Sequence, residues 1–200
     1  VVAITGTNGK TTTTTLVYEI VKEWNKNTLL VGNIEIPYTG LALSSVEGGV
    51  TVAEISSFQL ETMRTVKPRV SAVLNITPAH LDRHKTMENY SALKLSIAKN
   101  QDKSDYCVLN FEDDYLRNHA KELRCNVVFF SSKHVLESGV YLENGEFVLN
   151  FGGKREVLCR TDEVKLVGTH NFENIMAAVA MTHCLGVPME IIRTVTKAFT

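Results

Sequence analysis

The chain of 200 residues is long enough for one large domain or two small ones, because domains typically contain about 50 to 200 residues. Its 44% hydrophobic and 22% charged residues are typical of a globular protein and exclude collagen-like and disordered chains. Lysine and arginine total 21 against 22 acidic residues, and the net charge of −1 argues against a nucleic-acid-binding protein.

The apolar runs and the cysteines indicate the setting in which the chain works. Every apolar run is shorter than the ~20 residues of a membrane-spanning helix, so we expect no membrane span. The four cysteines are widely spaced, which argues against a zinc site or a redox dithiol and favours reduced, buried thiols in a cytoplasmic protein. The chain begins in a strand-like run and ends directly after a helical pattern, so we expect it to be a piece of a longer protein.

The first half of the chain alternates between apolar runs and amphipathic segments. Predicted strands cover residues 1–4, 28–31, 51–55 and 70–74, and predicted helices cover residues 10–24 and 87–99. Strands that alternate with helices of this length are typical of parallel β-α-β units. We therefore predict an α/β fold with a mostly parallel sheet flanked by helices.

The second half continues this alternation and then changes. Predicted strands cover residues 106–109 and 127–130, and predicted helices cover residues 113–123, 171–185 and the segment from Pro188 onward. Between them, Asn144-Gly145 and Gly152-Gly153 interrupt short alternating runs and are typical of hairpin turns. We predict a small antiparallel β ribbon near residues 140–159 and one domain in total.

A candidate phosphate-binding loop lies between the first strand and the first helix. It consists of Gly6, Thr7, Asn8, Gly9, Lys10, Thr11 and Thr12. Glycines let backbone N–H groups point at an anion, the lysine reaches outer phosphates, and the hydroxyl after it binds Mg²⁺. The strict pattern G-x-x-x-x-G-K-[ST] would require glycine in place of Ile4, so a glycine-containing turn with a solvated lysine remains the alternative.

This loop resembles the nucleotide-binding loop of the Mur ligase family, the ATP-dependent ligases that add amino acids to the peptidoglycan precursor. Three segments that follow it in order strengthen the resemblance: residues 32–37 (GNIEIP), 54–61 (EISSFQLE) and 74–84 (LNITPAHLDRH). Together they are similar to the branch that joins D-glutamate to UDP-N-acetylmuramoyl-L-alanine. The similarity covers almost the whole chain and is weakest from Lys133 to Cys159.

The resemblance implies a domain organisation and a reaction. Residues 1–200 would be the central ATPase domain, and the N-terminal UDP-binding domain and the C-terminal closing domain would be absent from this chain. In the reaction, the substrate carboxylate attacks the γ-phosphate of ATP, and the amine of D-glutamate then displaces phosphate from the acyl phosphate. We expect a cytoplasmic monomer that binds neither nucleic acid nor membrane.

The resemblance also implies ligands for two Mg²⁺ ions. Lys10 would stabilise the transferring phosphoryl group, and Thr11 and Glu54 match ligands of the Mg²⁺ bound to ATP. His80 matches a ligand of the second Mg²⁺, and Lys94 falls where the family carries a lysine that CO₂ converts to a carbamate. Without the family, these residues would be interpreted as a strand-end acid, a structural histidine and a solvent-directed lysine.

Further positions match the substrate and nucleotide contacts of the family. Asn33, Ser56, Gln59 and His80 match contacts to the muramoyl-alanine part of the substrate. Without the family, Asn33 would be interpreted as a turn residue and Ser56 as a capping residue. In residues 168–174 (GTHNFEN), Asn174 and Asn171 match residues that face adenine, a base to which an amide can both donate and accept. Without the family, Asn171 would be interpreted as a helix N-cap.

Two positions depart from the family pattern. Ala79 replaces the aspartate that usually precedes the histidine, which would remove a group that orients His80. Glu35 replaces the glycine of N-I-G-I-P and would put an acid beside an anionic substrate.

Two alternative functions remain. Another Mur ligase or a folylpolyglutamate synthase belongs to the same superfamily, although SSFQLE and HLDRH favour the D-glutamate branch. A nucleotide-binding module without ligase activity of its own is also compatible with the sequence.

Overall fold

The computed structural model describes residues 1–34 and 36–200. Nine strands form a sheet in the order β2-β3-β1-β4-β5-β6-β7-β8-β9. The strands are β1 (Val2–Thr5), β2 (Thr28–Gly32), β3 (Val50–Glu54), β4 (Val70–Val73), β5 (Tyr106–Asn110), β6 (Asn126–Ser131), β7 (Gly139–Glu143), β8 (Glu146–Phe151) and β9 (Lys154–Arg160). The α-helices are α1 (Lys10–Trp24), α2 (Tyr38–Leu41), α3 (Ser57–Thr62), α4 (Leu81–His84), α5 (Met87–Leu95), α6 (Asp114–His119), α7 (Thr169–Leu185) and α8 (Met189–Ala198). Short 3₁₀ turns cover Ala42–Ser44, Ser96–Ala98, Ala120–Glu122 and Thr161–Glu163.

The pairing of the strands confirms the predicted α/β fold. All pairs from β2 across the sheet to β7 are parallel, whereas β7 with β8 and β8 with β9 are antiparallel. The predicted ribbon therefore exists, and it extends the main sheet because β7 pairs with β6. Its two turns place Asn144, Gly145, Gly152 and Gly153 at φ values of 50°, 78°, 59° and 76°, the left-handed conformations of tight hairpin turns.

Helices cover both faces of the central strands. On one face, α1 and α7 belong to the core cluster that contains Val2 and Ile4, and α8 packs on α1, α7 and β9. On the other face, α3, α5 and α6 pack around Ala3 and its neighbours. Because both faces are covered, β1 and β4 are buried throughout, as expected for inner parallel strands.

The observed helices differ from the predicted ones in where some of them end and in the presence of three additional short helices. Helix α1 has its predicted bounds, but the predicted helices at 87–99 and 113–123 each end in a 3₁₀ turn. The short helices α2, α3 and α4 were not predicted, because four to six residues are too few to show a periodicity. Within the described residues, no helix is both long and apolar enough to cross a bilayer.

The order of the strands brings the predicted site together. Strands β3, β1 and β4 are neighbours, and all three are parallel. Their carboxyl ends place Glu54, the loop after Thr5 and the segment after Val73 at one edge of the sheet. This edge is where α/β sheets bind their ligands.

Candidate functional site

The phosphate loop depends on glycine immediately before α1. Gly9 has φ = 79°, in the left-handed region, and a Cβ at this position would lie 2.1 Å from Oδ1 of Asn174. The structure therefore brings Asn174, on α7, directly onto the loop, and Asn174 is 5% exposed. Thr11 and Thr12 follow in the first turn of α1.

The segment after β4 fixes the shape of this loop. Asn75 accepts a hydrogen bond from the backbone N–H of Asn8 (2.9 Å) and donates one to its carbonyl oxygen (3.1 Å). Thr7 donates its N–H to the Asn75 carbonyl (3.0 Å), and its Oγ1 accepts from the N–H of Thr77 (3.0 Å). These four hydrogen bonds with the segment thus hold the loop in place.

Two lysines meet at the loop. Lys10 Nζ donates to the carbonyls of Gly6 (3.1 Å) and Thr7 (3.0 Å), and Lys94 Nζ donates to the same Gly6 carbonyl (2.8 Å). Lys94 is only 2% exposed, and its ammonium lies 4.7 Å from the centre of the Tyr90 ring. Burial, helped by the charge of Lys10, lowers the pKa of Lys94 to about 7. A substantial fraction of the amine is therefore neutral near neutral pH, the form that reacts with CO₂.

Glu54 is a buried carboxylate at the carboxyl end of β3. It is 1% exposed, and it accepts hydrogen bonds from Oγ1 of Thr11 at Oε2 (2.8 Å) and from Nδ2 of Asn33 at Oε1 (2.9 Å). Among the described residues, no lysine, arginine or histidine forms an ion pair with Glu54. A buried negative charge beside a hydroxyl oxygen fits a hard cation such as Mg²⁺.

Side chains of this chain would supply only a few of the ligands of a bound Mg²⁺. No group of three histidine, cysteine, aspartate or glutamate side chains in the described part of the chain could hold a metal ion. This arrangement agrees with the usual way in which proteins hold Mg²⁺, with one or two protein ligands completed by phosphates and water.

A cleft of about 400 Å³ collects most of the predicted residues. Its walls include Gly6, Thr7, Asn8, Lys10, Asn33, Ser56, Ala79, His80 and Lys94. His80 is exposed, precedes α4 with φ = 55°, and packs its ring against Phe58 at 5.2 Å between centroids. Ala79 adds no polar group beside it, and Glu35 lies outside the described residues.

Gln59 does not line this cleft. Its Oε1 accepts hydrogen bonds from the N–H (2.8 Å) and Oγ (3.0 Å) of Ser56, which caps α3. Gln59 instead borders a separate, apolar cavity of about 300 Å³. A contact between Gln59 and substrate therefore stays a prediction, and it would require this cap to open.

The two asparagines of the α7 segment have different surroundings. Asn174 touches the loop at Gly9, as described above, whereas Nδ2 of Asn171 donates to the carbonyl of Val167 (2.9 Å). Helix α7 begins at Thr169 after Gly168, so the alternative interpretation of Asn171 as an N-cap is wrong. Its contact with adenine stays a prediction.

Sequence reasoning gave no role to two residues that shape the site, Asn75 and Tyr90. The hydroxyl of Tyr90 lies 3.2 Å from Thr7 Oγ1. Two signals could have indicated them. Asn75 lies two residues after the end of the buried strand β4, and Tyr90 lies four residues before Lys94, on the same face of α5.

Comparisons with known proteins identify the family of the chain. The family described as Mur ligase middle domain matches residues 4–182. Two relatives, from Lachnoclostridium phytofermentans and Lachnospira eligens, are named UDP-N-acetylmuramoylalanine–D-glutamate ligase. They are 49% and 50% identical to this chain over 199 and 200 residues, and in each case the match covers 100% of this chain. The chain spans only 44% of the length of each of these curated relatives.

The fold is also similar to that of solved ligases. The structure of the MurF ligase from Thermotoga maritima in complex with ADP has a TM-score of 0.68 and 23% sequence identity, and the match covers 96% of this chain and 47% of that one. The sequence match extends through the phosphate loop, the Glu54 strand and α7 up to residue 182. The chain belongs to the Mur ligase middle-domain family.

Proposed function

We propose that this chain is the central, nucleotide-binding domain of a longer ATP-dependent ligase that joins D-glutamate to UDP-N-acetylmuramoyl-L-alanine. The observation that carries the proposal is the meeting of Lys10 and Lys94 at the Gly6 carbonyl, in the cleft that also contains His80. The 49% and 50% identity to relatives of that name supports the choice of substrates. The UDP-binding and closing domains would be supplied by the remainder of the longer protein.

Lys10 and the loop would bind the phosphates. The ammonium of Lys10 exchanges the carbonyls of Gly6 and Thr7 for phosphate oxygens when nucleotide enters, while the start of α1 contributes its N–H groups. Asn174, which already touches Gly9, lies on the side where the base would extend. These residues act by binding and orientation, which supply most of the catalysis in phosphoryl transfer.

Thr11 and Glu54 would hold one Mg²⁺, and His80 with a carbamate on Lys94 would hold a second. Bound Mg²⁺ neutralises the charge of the phosphates and of the approaching carboxylate. The low pKa of Lys94 supports carbamate formation, because only the neutral amine attacks CO₂. The product is an anion in place of a cation, which removes the repulsion between Lys94 and Lys10.

Asn33 and Ser56 would orient the muramoyl-alanine part of the substrate on the Glu54 side of the cleft. One carboxylate oxygen of that substrate attacks the γ-phosphorus of ATP, and ADP leaves. The amine of D-glutamate then attacks the acyl carbon, loses a proton and releases phosphate.

Phosphate release by the longer protein tests this proposal. We expect release that depends on both D-glutamate and UDP-N-acetylmuramoyl-L-alanine, and we expect Lys10→Ala to weaken ATP binding at least tenfold, since a hydrogen bond to a charged group contributes about 1.5–3 kcal/mol. Lys26→Ala, at an exposed lysine paired with Glu23, is the matched control. Release with L-lysine or with a folate substrate instead of these two compounds would favour another branch of the superfamily.

The second candidate function is a module that binds nucleotide without ligase activity. Measurements on the isolated chain and on the longer protein distinguish it from the first. Calorimetry with Mg²⁺ and ATP should show weak binding that is lost in Lys10→Ala. If the longer protein shows the same binding and no ligation, the module is the correct assignment.

A further inference from the structure

The last residues of the SSFQLE and HLDRH segments contact each other through their side chains in the fold. Arg83 donates from Nε and Nη2 to the two carboxylate oxygens of Glu61, at 3.1 and 2.5 Å. The next residue, His84, has Nε2 at 3.2 Å from Oγ of Ser57 and Nδ1 at 3.5 Å from Oε1 of Glu61. Polar contacts therefore hold α3 and α4 together near both ends of α3, at Ser57 and at Glu61.

His84 is also buried among aromatic rings. It is 7% exposed, its ring is stacked on Phe58 with 5.7 Å between centroids, and it lies 5.2 Å from the ring of Tyr90. Phe58 packs against His80, and Tyr90 packs against Lys94. His84 thus contacts the residues that support two predicted metal ligands, His80 and Lys94.

The polar contacts of His84 have a role that apolar packing alone could not supply. A phenylalanine could fill the gap between Phe58 and Tyr90, but it would leave the buried hydroxyl of Ser57 without this partner, at a free-energy cost. Contacts from both ring nitrogens fix the orientation of the imidazole. A fixed ring in turn restricts the side chains of Phe58 and Tyr90, which have little room to move in a packed interior.

We propose that His84 is a positioning residue for the ligase reaction. By contacting Ser57, Phe58 and Tyr90 together, it sets the distance between the Ser56 wall of the cleft and the wall that carries His80 and Lys94. His84 is not among the described residues that line the cleft, so its role would be indirect, and the proposal rests on the function proposed above. Displacements of about 1 Å in such a site can slow a reaction by about a hundredfold, so a positioning role has a measurable effect.

Two variants of the longer protein separate the two kinds of contact. His84→Phe keeps the packing against Phe58 and Tyr90 and removes the contacts with Ser57 and Glu61, so we expect the KM for UDP-N-acetylmuramoyl-L-alanine to rise about tenfold with a smaller change in kcat. His84→Gln keeps an amide for Ser57 and removes the ring, so we expect kcat to fall about tenfold as Tyr90 and Lys94 lose support. The Kd for ADP should change less than about twofold in both, because Asn75 and Thr77 form hydrogen bonds with the loop that do not involve His84.

His183→Gln is the matched control, since His183 is half-buried and stacked on Phe151 at 4.3 Å, on the face of the sheet away from this cleft. We expect its kcat and KM values to equal those of the parent. If His84→Phe fails to fold, Ser57→Ala removes the contact between His84 and Ser57 from the other side and should raise the same KM.

Two outcomes would overturn the proposal, and they are distinguishable. An active parent whose His84 and Ser57 variants keep kcat and KM, with only a lower melting temperature, would make His84 a packing residue alone. A parent without D-glutamate-dependent phosphate release would instead contradict the proposed function, and this inference with it.

Discussion

Lys10 and Lys94 donate hydrogen bonds to one backbone carbonyl, that of Gly6, from 3.1 and 2.8 Å. Two ammonium groups at one oxygen repel each other, and Lys94 is in addition removed from water. Burial and the neighbouring charge of Lys10 lower the pKa of Lys94 from 10.5 to about 7. The lysine that is predicted to react with CO₂ is therefore the one whose charged form the fold disfavours.

This low pKa predicts a pH dependence of stability. Between pH 7 and 10.5 the unfolded chain holds a proton on Lys94 that the folded chain has released, so the free energy of unfolding rises with pH in this window. Lys94→Met removes the titration. We expect the difference in unfolding free energy, parent minus variant, to increase by at most about 4 kcal/mol over roughly three pH units above neutrality. Urea unfolding of both chains at the two ends of this range measures it, and a constant difference would contradict a buried lysine of low pKa.

Gly9 is predicted to be irreplaceable for two separate reasons. Gly9→Ala forces a side chain into φ = 79° and places its Cβ 2.1 Å from Asn174 Oδ1, so we expect a larger loss of stability than the roughly 1–2 kcal/mol of the left-handed conformation alone. Gly152→Ala is the control, because Gly152 has φ = 59° and, apart from its chain neighbours, no atom of the described residues lies within 4 Å of its Cβ position. Thermal unfolding of the two variants separates conformational strain from the close approach.

A double variant tests the cause of that loss. Gly9→Ala combined with Asn174→Ala removes the clash and should recover part of the stability lost in Gly9→Ala. Strict additivity of the two single changes would mean that Asn174 does not press on the loop.

The sequence predicts those parts of the fold and of the site that depend on local patterns. Helix α1 was predicted with its observed bounds because its apolar residues recur every three and four positions over four turns. Lys10 and Thr11 were identified from the motif of the loop between a strand and a helix, whereas Glu54 was identified only through the resemblance to the family. Their roles stay predictions, and the structure shows that Thr11 donates a hydrogen bond to Glu54.

The remaining features depend on contacts between distant segments. Asn75 is 67 positions from Asn8, and Tyr90 is 83 positions from Thr7, so neither contact produces a local pattern. The S-x-x-Q spacing of Ser56 and Gln59 did carry a local signal, that of a capping box. It was interpreted as a substrate contact, and the structure shows that the same two side chains also begin α3.

Glu54 is predicted to control the metal dependence of turnover. In the longer protein, Glu54→Gln keeps the size of the side chain and removes its charge, so we expect ATP turnover to fall about a hundredfold or more at limiting Mg²⁺. Raising the Mg²⁺ concentration should restore part of the loss. Glu190→Gln, at an exposed position on α8, should turn over like the parent. Unchanged turnover in Glu54→Gln would leave Glu54 as a partner of Thr11 and Asn33 only.

Lys94 is predicted to act as a carbamate, and a small added carboxylate should restore part of the activity that is lost when its side chain is removed. Lys94→Ala in the longer protein removes the anion expected beside the second Mg²⁺, so we expect ligation to be nearly abolished. The truncated side chain leaves space next to His80 and Lys10, on the cleft wall that Lys94 lines. Acetate or another short carboxylate can occupy that space and should restore part of the rate, which phosphate release at increasing acetate concentrations measures.

Controls distinguish this rescue from a general effect of added salt. Chloride at the same ionic strength should restore nothing, and Lys99→Ala, at an exposed lysine one turn beyond α5, should be fully active without acetate. The parent should lose activity when dissolved CO₂ is removed and regain it when bicarbonate is added, whereas Lys94→Ala rescued by acetate should be indifferent to both. A lysine that acted only through its ammonium would show the reverse pattern. Lys94→Arg would then keep activity, since it retains the positive charge at the Gly6 carbonyl, and neither carboxylate nor CO₂ would affect the rate.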